Sequence, residues 1–148
     1  MLTVVEKVVL LQNVDVFSEV PAEQLTYLAS IAEEIDCLAG DVIFRENDPA
    51  DALYLVLDGK VGLERDGKEI KQAGSQTAFG TWALFDDETR VVTATVIENA
   101  RLLKIDRGEF VDLLADNVQV TQGVLKMLVK RVRGIMDKLG TQPRDSAS

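Results

Sequence analysis

The 148-residue chain has no histidine and a single cysteine. Without imidazole it lacks the usual ligand of zinc and haem and the base of a Ser-His-Asp triad. One thiol cannot hold an iron–sulfur cluster or close an internal disulfide. Metal, haem and triad chemistry drop out together, and no other nucleophile–base pair stands out, so neither an enzyme nor a cofactor is expected. Long apolar runs are missing as well. Val4-Val5 and Val8 to Leu11 are split by Glu6-Lys7, far short of the ~18 residues of a membrane span. No span or signal peptide is expected, and Cys37 reads as a small buried side chain in a reducing cytoplasm.

What is present describes an ordinary globular chain. Hydrophobic residues make up 47% and charged residues 28%, enough for one domain with one sizeable core. The net charge of −9 opposes nucleic-acid binding by the body of the protein. It is uneven: after residue 119, Lys126, Lys130, Arg131, Arg133, Lys138 and Arg144 face only Asp137 and Asp145, which is +4 and leaves −13 for the rest. A basic terminal helix against an acidic body implies electrostatic docking within the chain or between subunits, or a solvated face with cations near its C-terminal end.

The periodicity changes along the chain. Leu2 to Leu11 is apolar nearly all round and reads as a short, well-buried helix; Pro21 to Ile31 reads as a second, with Leu25, Leu28 and Ala29 as its apolar stripe. From Glu33 the pattern turns to strands: Ile35 and Cys37, Val42 to Phe44, Ala52 to Leu57, Val61 to Arg65, Val91 to Val96 and Ala100 to Ile105. Asp58-Gly59 and Asp66-Gly67 are hairpin signals, and Glu98-Asn99 reads as a turn. Seven to eight strands with helices at both ends predict a mainly β fold, an antiparallel β-roll or jelly roll. Asp106 caps a helix over Glu109 to Leu114, and the terminal helix runs from about Val118 to Leu139, stopped by Gly140. Residues 1–140 then form one domain (helices 2–31, β-roll 33–106, helices 107–139), with 141–148 an unordered tail.

The stretch Ala78 to Val96 carries the binding chemistry. Gly80 opens a helical turn, Thr81-Trp82-Ala83-Leu84, whose first amides lack an intrahelical acceptor and suit an anion. Arg90 follows the acidic loop Asp86, Asp87, Glu88 and stands at the first residue of a strand. It offers paired donors to the same anion, or forms a structural ion pair with Asp86 or Glu88. Trp82, the only tryptophan, either stacks over this pocket or plugs the core.

Phe79-Gly80-x-x-Ala83-Leu84 followed by Arg90-x-x-Thr93 resembles the phosphate-binding cassette of the cyclic nucleotide-binding domain family, the group of catabolite-activator and protein kinase A regulatory β-rolls. The likeness runs over roughly residues 9 to 135 and implies the same β-roll with a long C-terminal helix. It implies that the amides and ribose contacts come from Phe79, Gly80, Thr81, Trp82, Ala83 and Leu84, that Arg90 anchors the cyclic phosphate, and that Val91 and Val92 form a wall. The residues expected to contact the ligand depart from the family pattern in two places. Thr81 stands where an acidic residue binds the ribose 2′-hydroxyl, and Val91 and Val92 replace small or hydroxylated residues. Asn47 stands where the family has a glycine, and asparagine tolerates the left-handed conformation such a turn needs.

The resemblance implies a regulatory module that binds cyclic AMP or cyclic GMP and signals by moving its C-terminal helix to a partner protein or a fused effector domain. The other reading is a degenerate fold without nucleotide that serves as a dimerisation or interaction module. Leu125, Leu128, Val132, Ile135 and Leu139 have spacings of 3, 4, 3 and 4, the seam of a homodimer or the face of a helix docked on the barrel as a lid. An ungapped comparison brings Ile135 or Met136 to the nucleotide base. A recognition helix does not fit into Thr141 to Ser148, so no direct DNA binding is expected of this chain.

Overall fold

The computed structural model describes residues 1–140; the expected tail at 141–148 lies outside them. Helices α1 (Val4–Gln12) and α2 (Ala22–Ile31) precede six strands, β1 (Ala32–Cys37), β2 (Val42–Phe44), β3 (Ala52–Arg65), β4 (Lys68–Ala73), β5 (Ala78–Phe79) and β6 (Thr93–Asp106). Helices α3 (Arg107–Asp116) and α4 (Val118–Lys138) follow. All strand pairings are antiparallel, in the order β1-β6-β3-β4, with β2 on β6 and β5 on β3. This is the expected β-roll with flanking helices, but with six strands among the described residues in place of seven to eight, because the expected strands at 52–57 and 61–65 are one strand, β3, and those at 91–96 and 100–105 are one strand, β6.

Two expected turns are absent. β3 runs straight through Asp58-Gly59, and β6 through Glu98-Asn99, with shifts of register between Val56 and Val61. The reason is contact across the ladder. Gly59 has φ +94°, and a Cβ there would lie 2.3 Å from the Asn99 carbonyl oxygen and 2.6 Å from the Ala100 Cα, so the glycine serves a β-bulge and close strand approach. Asp66-Gly67 is a hairpin turn as expected: both residues have positive φ, and Arg65 pairs with Lys68. Strand β6 begins at Thr93, not at Arg90, because residues 89 and 90 are held by the turn at 47–49 instead of by the sheet.

The core has two parts. One packs α2, α3 and the first half of α4 on Leu53, Leu55, Leu103 and Ile105; the other fills the roll with Phe44, Tyr54, Val56, Phe79 and Leu102. Helix α1 departs from expectation. Thr3 and Glu6 form a capping box at its start, but only Leu11 is buried, and Val4, Val5 and Val9 face outward. At α3, the Asp106 carboxylate accepts from the Glu109 amide at 3.1 Å.

Helix α4 lies on the body by Val120, Gly123, Val124 and Met127. Gly123 is needed there, since a Cβ would come within 2.9 Å of both the Glu19 carbonyl oxygen and the Val20 Cα. Beyond Leu128 the helix is exposed except at Met136. In the expected seam, Leu125, Val132, Ile135 and Leu139 are exposed, whereas Leu128 packs against the chain's own core. No described helix is long and apolar enough to cross a membrane.

Candidate functional site

Gly80 has φ +72° and ψ +22° and opens a single 3-10 turn, Thr81–Leu84. Left-handed backbone is cheap only for glycine, and here it turns the chain sharply out of β5. The Ala83 amide returns to the Gly80 carbonyl at 3.1 Å and the Phe85 amide to Trp82 at 3.0 Å. The amides of Thr81 and Trp82 precede the first turn and have no backbone acceptor among the described residues. Leu84 and Ala83 point inward and fasten the turn, Leu84 to the helical core.

Arg90 faces this turn. Its backbone is clamped on both sides, its amide donating to the Asp48 carbonyl and its carbonyl accepting from the Asn47 amide, both at 2.8 Å. Asn47 has φ +71°, which meets the expectation for that turn. The side chain is 4% exposed. Its Nη2 donates to the Ala52 carbonyl at 2.9 Å and lies 3.4 Å from Asp51 Oδ1. The guanidinium lies over the Phe44 ring, 4.0 Å from the centroid. Burial lowers the Arg90 pKa, while Tyr54 and Asp51 push the other way.

The Nε has no hydrogen-bond partner among the described residues, and Nη1 sits 2.7 Å from the place a Gly80 Cβ would take. A buried charge with an open donor is costly unless something completes it. The expected alternative, a pair with Asp86 or Glu88, is not formed. Asp86 instead accepts the Glu88 amide at 3.2 Å, and Arg107 Nη1 holds the Asp86 carbonyl at 2.6 Å. Asp51 takes that place, next in sequence to the Ala52 carbonyl that accepts from the same Nη2.

Between the turn and Arg90 lies a cavity of about 360 Å³, within the range of small-ligand sites. Of the residues expected to contact a ligand, Phe79, Gly80, Thr81, Trp82, Ala83, Arg90, Val91 and Val92 line it; Leu84 does not. Phe44, Ala50 and Leu63 also line it, brought in by sheet register and loop closure from distant segments that carry no local signal. Asp86 and Glu88 stand at the exposed rim. Thr93 lies outside, its hydroxyl accepting from the Glu46 amide at 3.0 Å. No residue of α4, Ile135 and Met136 included, reaches the cavity, so the helix does not cover it.

Trp82 is not a core plug. It is 47% exposed, flanks Phe85 at 5.9 Å between ring centroids, and carries the Arg131 guanidinium 5.1 Å from its own centroid.

The model of the cyclic nucleotide-binding domain matches residues 34–117. The chain belongs to the cyclic nucleotide-binding domain family. The domain is 29% identical over 129 residues to the CRP-like cAMP-activated global transcriptional regulator of Mycobacterium tuberculosis, covering 84% of this chain and 58% of that protein. It therefore spans little more than half of that relative. Among solved structures it resembles the N-terminal domain of a transcriptional regulator from Streptomyces coelicolor A3(2), with TM-score 0.80 and 31% identity over 86% of this chain and 95% of the other. It also resembles the Thermus thermophilus catabolite activator protein, with TM-score 0.66 and 27% identity over 85% and 62%.

Proposed function

We propose that this domain is a regulatory module that binds a cyclic nucleotide, cyclic AMP or cyclic GMP, between the Gly80 turn and Arg90, and that it signals through α4. The observation that carries the reading is Arg90: nearly buried, with an unpartnered Nε and with Nη1 against a left-handed glycine, at a turn with two free amides. A cyclic phosphate supplies the missing acceptor and the countercharge at once. Phe79, Gly80, Thr81, Trp82 and Ala83 meet the phosphate and ribose, Val91 and Val92 the apolar face, and Leu84 braces the turn. Thr81 gives the ribose a neutral partner, which costs roughly one charge-assisted bond, about tenfold in affinity. A reducing cytoplasm is part of this proposal, and so is a second copy of the chain as partner along Leu125, Val132, Ile135 and Leu139.

Calorimetric titration with cyclic AMP and cyclic GMP tests it, with Arg90→Lys as control because lysine keeps the charge and loses the fork. Micromolar binding weakened about tenfold or more in the control is expected. Absence of heat up to millimolar nucleotide, from folded protein, overturns the reading. Sedimentation of wild type against Val132→Glu tests the second copy.

A further inference from the structure

The inward face of α4 carries Val120, Val124 and Met127, and at helical spacing its next position is Arg131. That side chain forms an ion pair with Asp15, in the 3-10 turn Asp15–Phe17, and places its guanidinium over the Trp82 indole at 5.1 Å. One cation thus joins three segments far apart in sequence: the turn after α1, the Gly80 turn and the exposed half of α4. Trp82 has room to move. Together with Thr81 it borders both the Arg90 cavity and a second cavity of about 340 Å³ lined by Asn13, Asp15, Gln76 and Arg131.

We propose that Asp15, Arg131 and Trp82 form a latch, with Arg131 as the coupling residue, that holds α4 to the body while the Arg90 cavity is empty and opens when a ligand draws in the Thr81 and Trp82 amides. The proposal rests on the reading of that cavity as a nucleotide site. An anion that takes those amides pulls the turn toward Arg90 and carries the indole away from Arg131, so the cation–π contact is the one lost. Coupling is reciprocal: whatever the ligand spends on opening the latch is returned when the latch is already broken. Arg131→Gln therefore binds nucleotide more tightly than wild type, by about fivefold, the low end of such couplings, because the contact is half-exposed.

Hydrogen exchange and titration of the full chain, as wild type, Arg131→Gln and Trp82→Leu, test the latch. Without nucleotide, both variants are expected to speed exchange at the Ala83 and Phe85 amides as well as in α4 beyond Arg131, and Trp82 emission shifts in Arg131→Gln. With cyclic AMP, wild type shows the same loosening of α4, and Arg131→Gln binds more tightly with no further change in the helix. Equal affinity of Arg131→Gln and wild type overturns the latch, as does a ligand-free response confined to the helix end. A wild type that binds no cyclic nucleotide defeats the reading of the cavity instead, and the ligand-free comparison then decides the latch by itself.

Discussion

Gly123 and Gly134 stand in the same helix, eleven residues apart, and the same substitution at each is expected to move stability in opposite directions. In helix interiors alanine is better than glycine by about 0.8–1.0 kcal/mol. At Gly134 an added Cβ meets nothing within 4 Å, so Gly134→Ala gains that full amount. At Gly123 the Cβ lies 2.8 Å from Val20 Cγ2 and 2.9 Å from both the Glu19 oxygen and the Val20 Cα. Two of these are backbone atoms that cannot step aside, so the overpacking cost falls toward the upper part of the usual 1–3 kcal/mol. Net of propensity, Gly123→Ala loses about 1–2 kcal/mol, and the two variants differ by about 2–3 kcal/mol. Urea titration followed by far-ultraviolet circular dichroism resolves that difference, and thermal midpoints should separate by several degrees, at roughly 2–4 °C per kcal/mol. A Gly123→Ala protein as stable as Gly134→Ala would refute the close seat of α4 on residues 19 and 20.

Gly59→Ala is expected to cost about 3 kcal/mol or more in the same assay, since it combines a left-handed φ with a Cβ placed inside the β6 backbone. Asp106→Ala, which removes the cap of α3, costs about 1 kcal/mol, whereas Asp106→Asn costs less. Lys130 Nζ donates to Glu19 Oε2 at 2.7 Å and holds that carboxyl below its ordinary pKa of 4.5. The contribution of the pair is therefore fully present above pH 4.5 and fades as the pH falls through the lowered folded value. Glu19→Gln should flatten the acid limb of the stability profile and lower the neutral plateau by the same small amount, as suits a pair in contact with solvent.

Most of the fold and half of the site were legible from local pattern. The capping signals at Asp106, the Asp66-Gly67 hairpin and the stop at Gly140 are set by neighbours in sequence, and the structure keeps all three. Gly80 and Arg90 were recognisable because one turn and one buried cation need those residue types. What escaped depends on register. Asp58-Gly59 has the composition of a hairpin, yet the pairing of Asp58 with Arg101 and of Lys60 with Glu98 continues across it, and only the partner strand reveals that. Phe44 under the Arg90 guanidinium and Asp51 beside it come from a strand and a loop some forty residues earlier, and no local spacing announces either. The exposed face of α1 was misread because its apolar residues exceed what the body covers.

The long ladder between β3 and β6 also governs how the chain folds. Ala52 pairs with Asp106 and Glu64 with Thr93, while β1 pairs with the far end of β6, Ala32 with Ile105. During synthesis the apolar stretch Ala52–Val56 therefore lacks its β6 partner until nearly the whole roll has left the ribosome, with only the short β5 to pair with Tyr54 and Leu55 before then. Distant pairings of this kind are slow because loop-closure entropy must be met before any contact repays it. The sheet is thus expected to close late, with the β3–β4 hairpin and the short pairing of β5 on β3 as its early fragments, and β3 is the segment most in need of protection until β6 arrives.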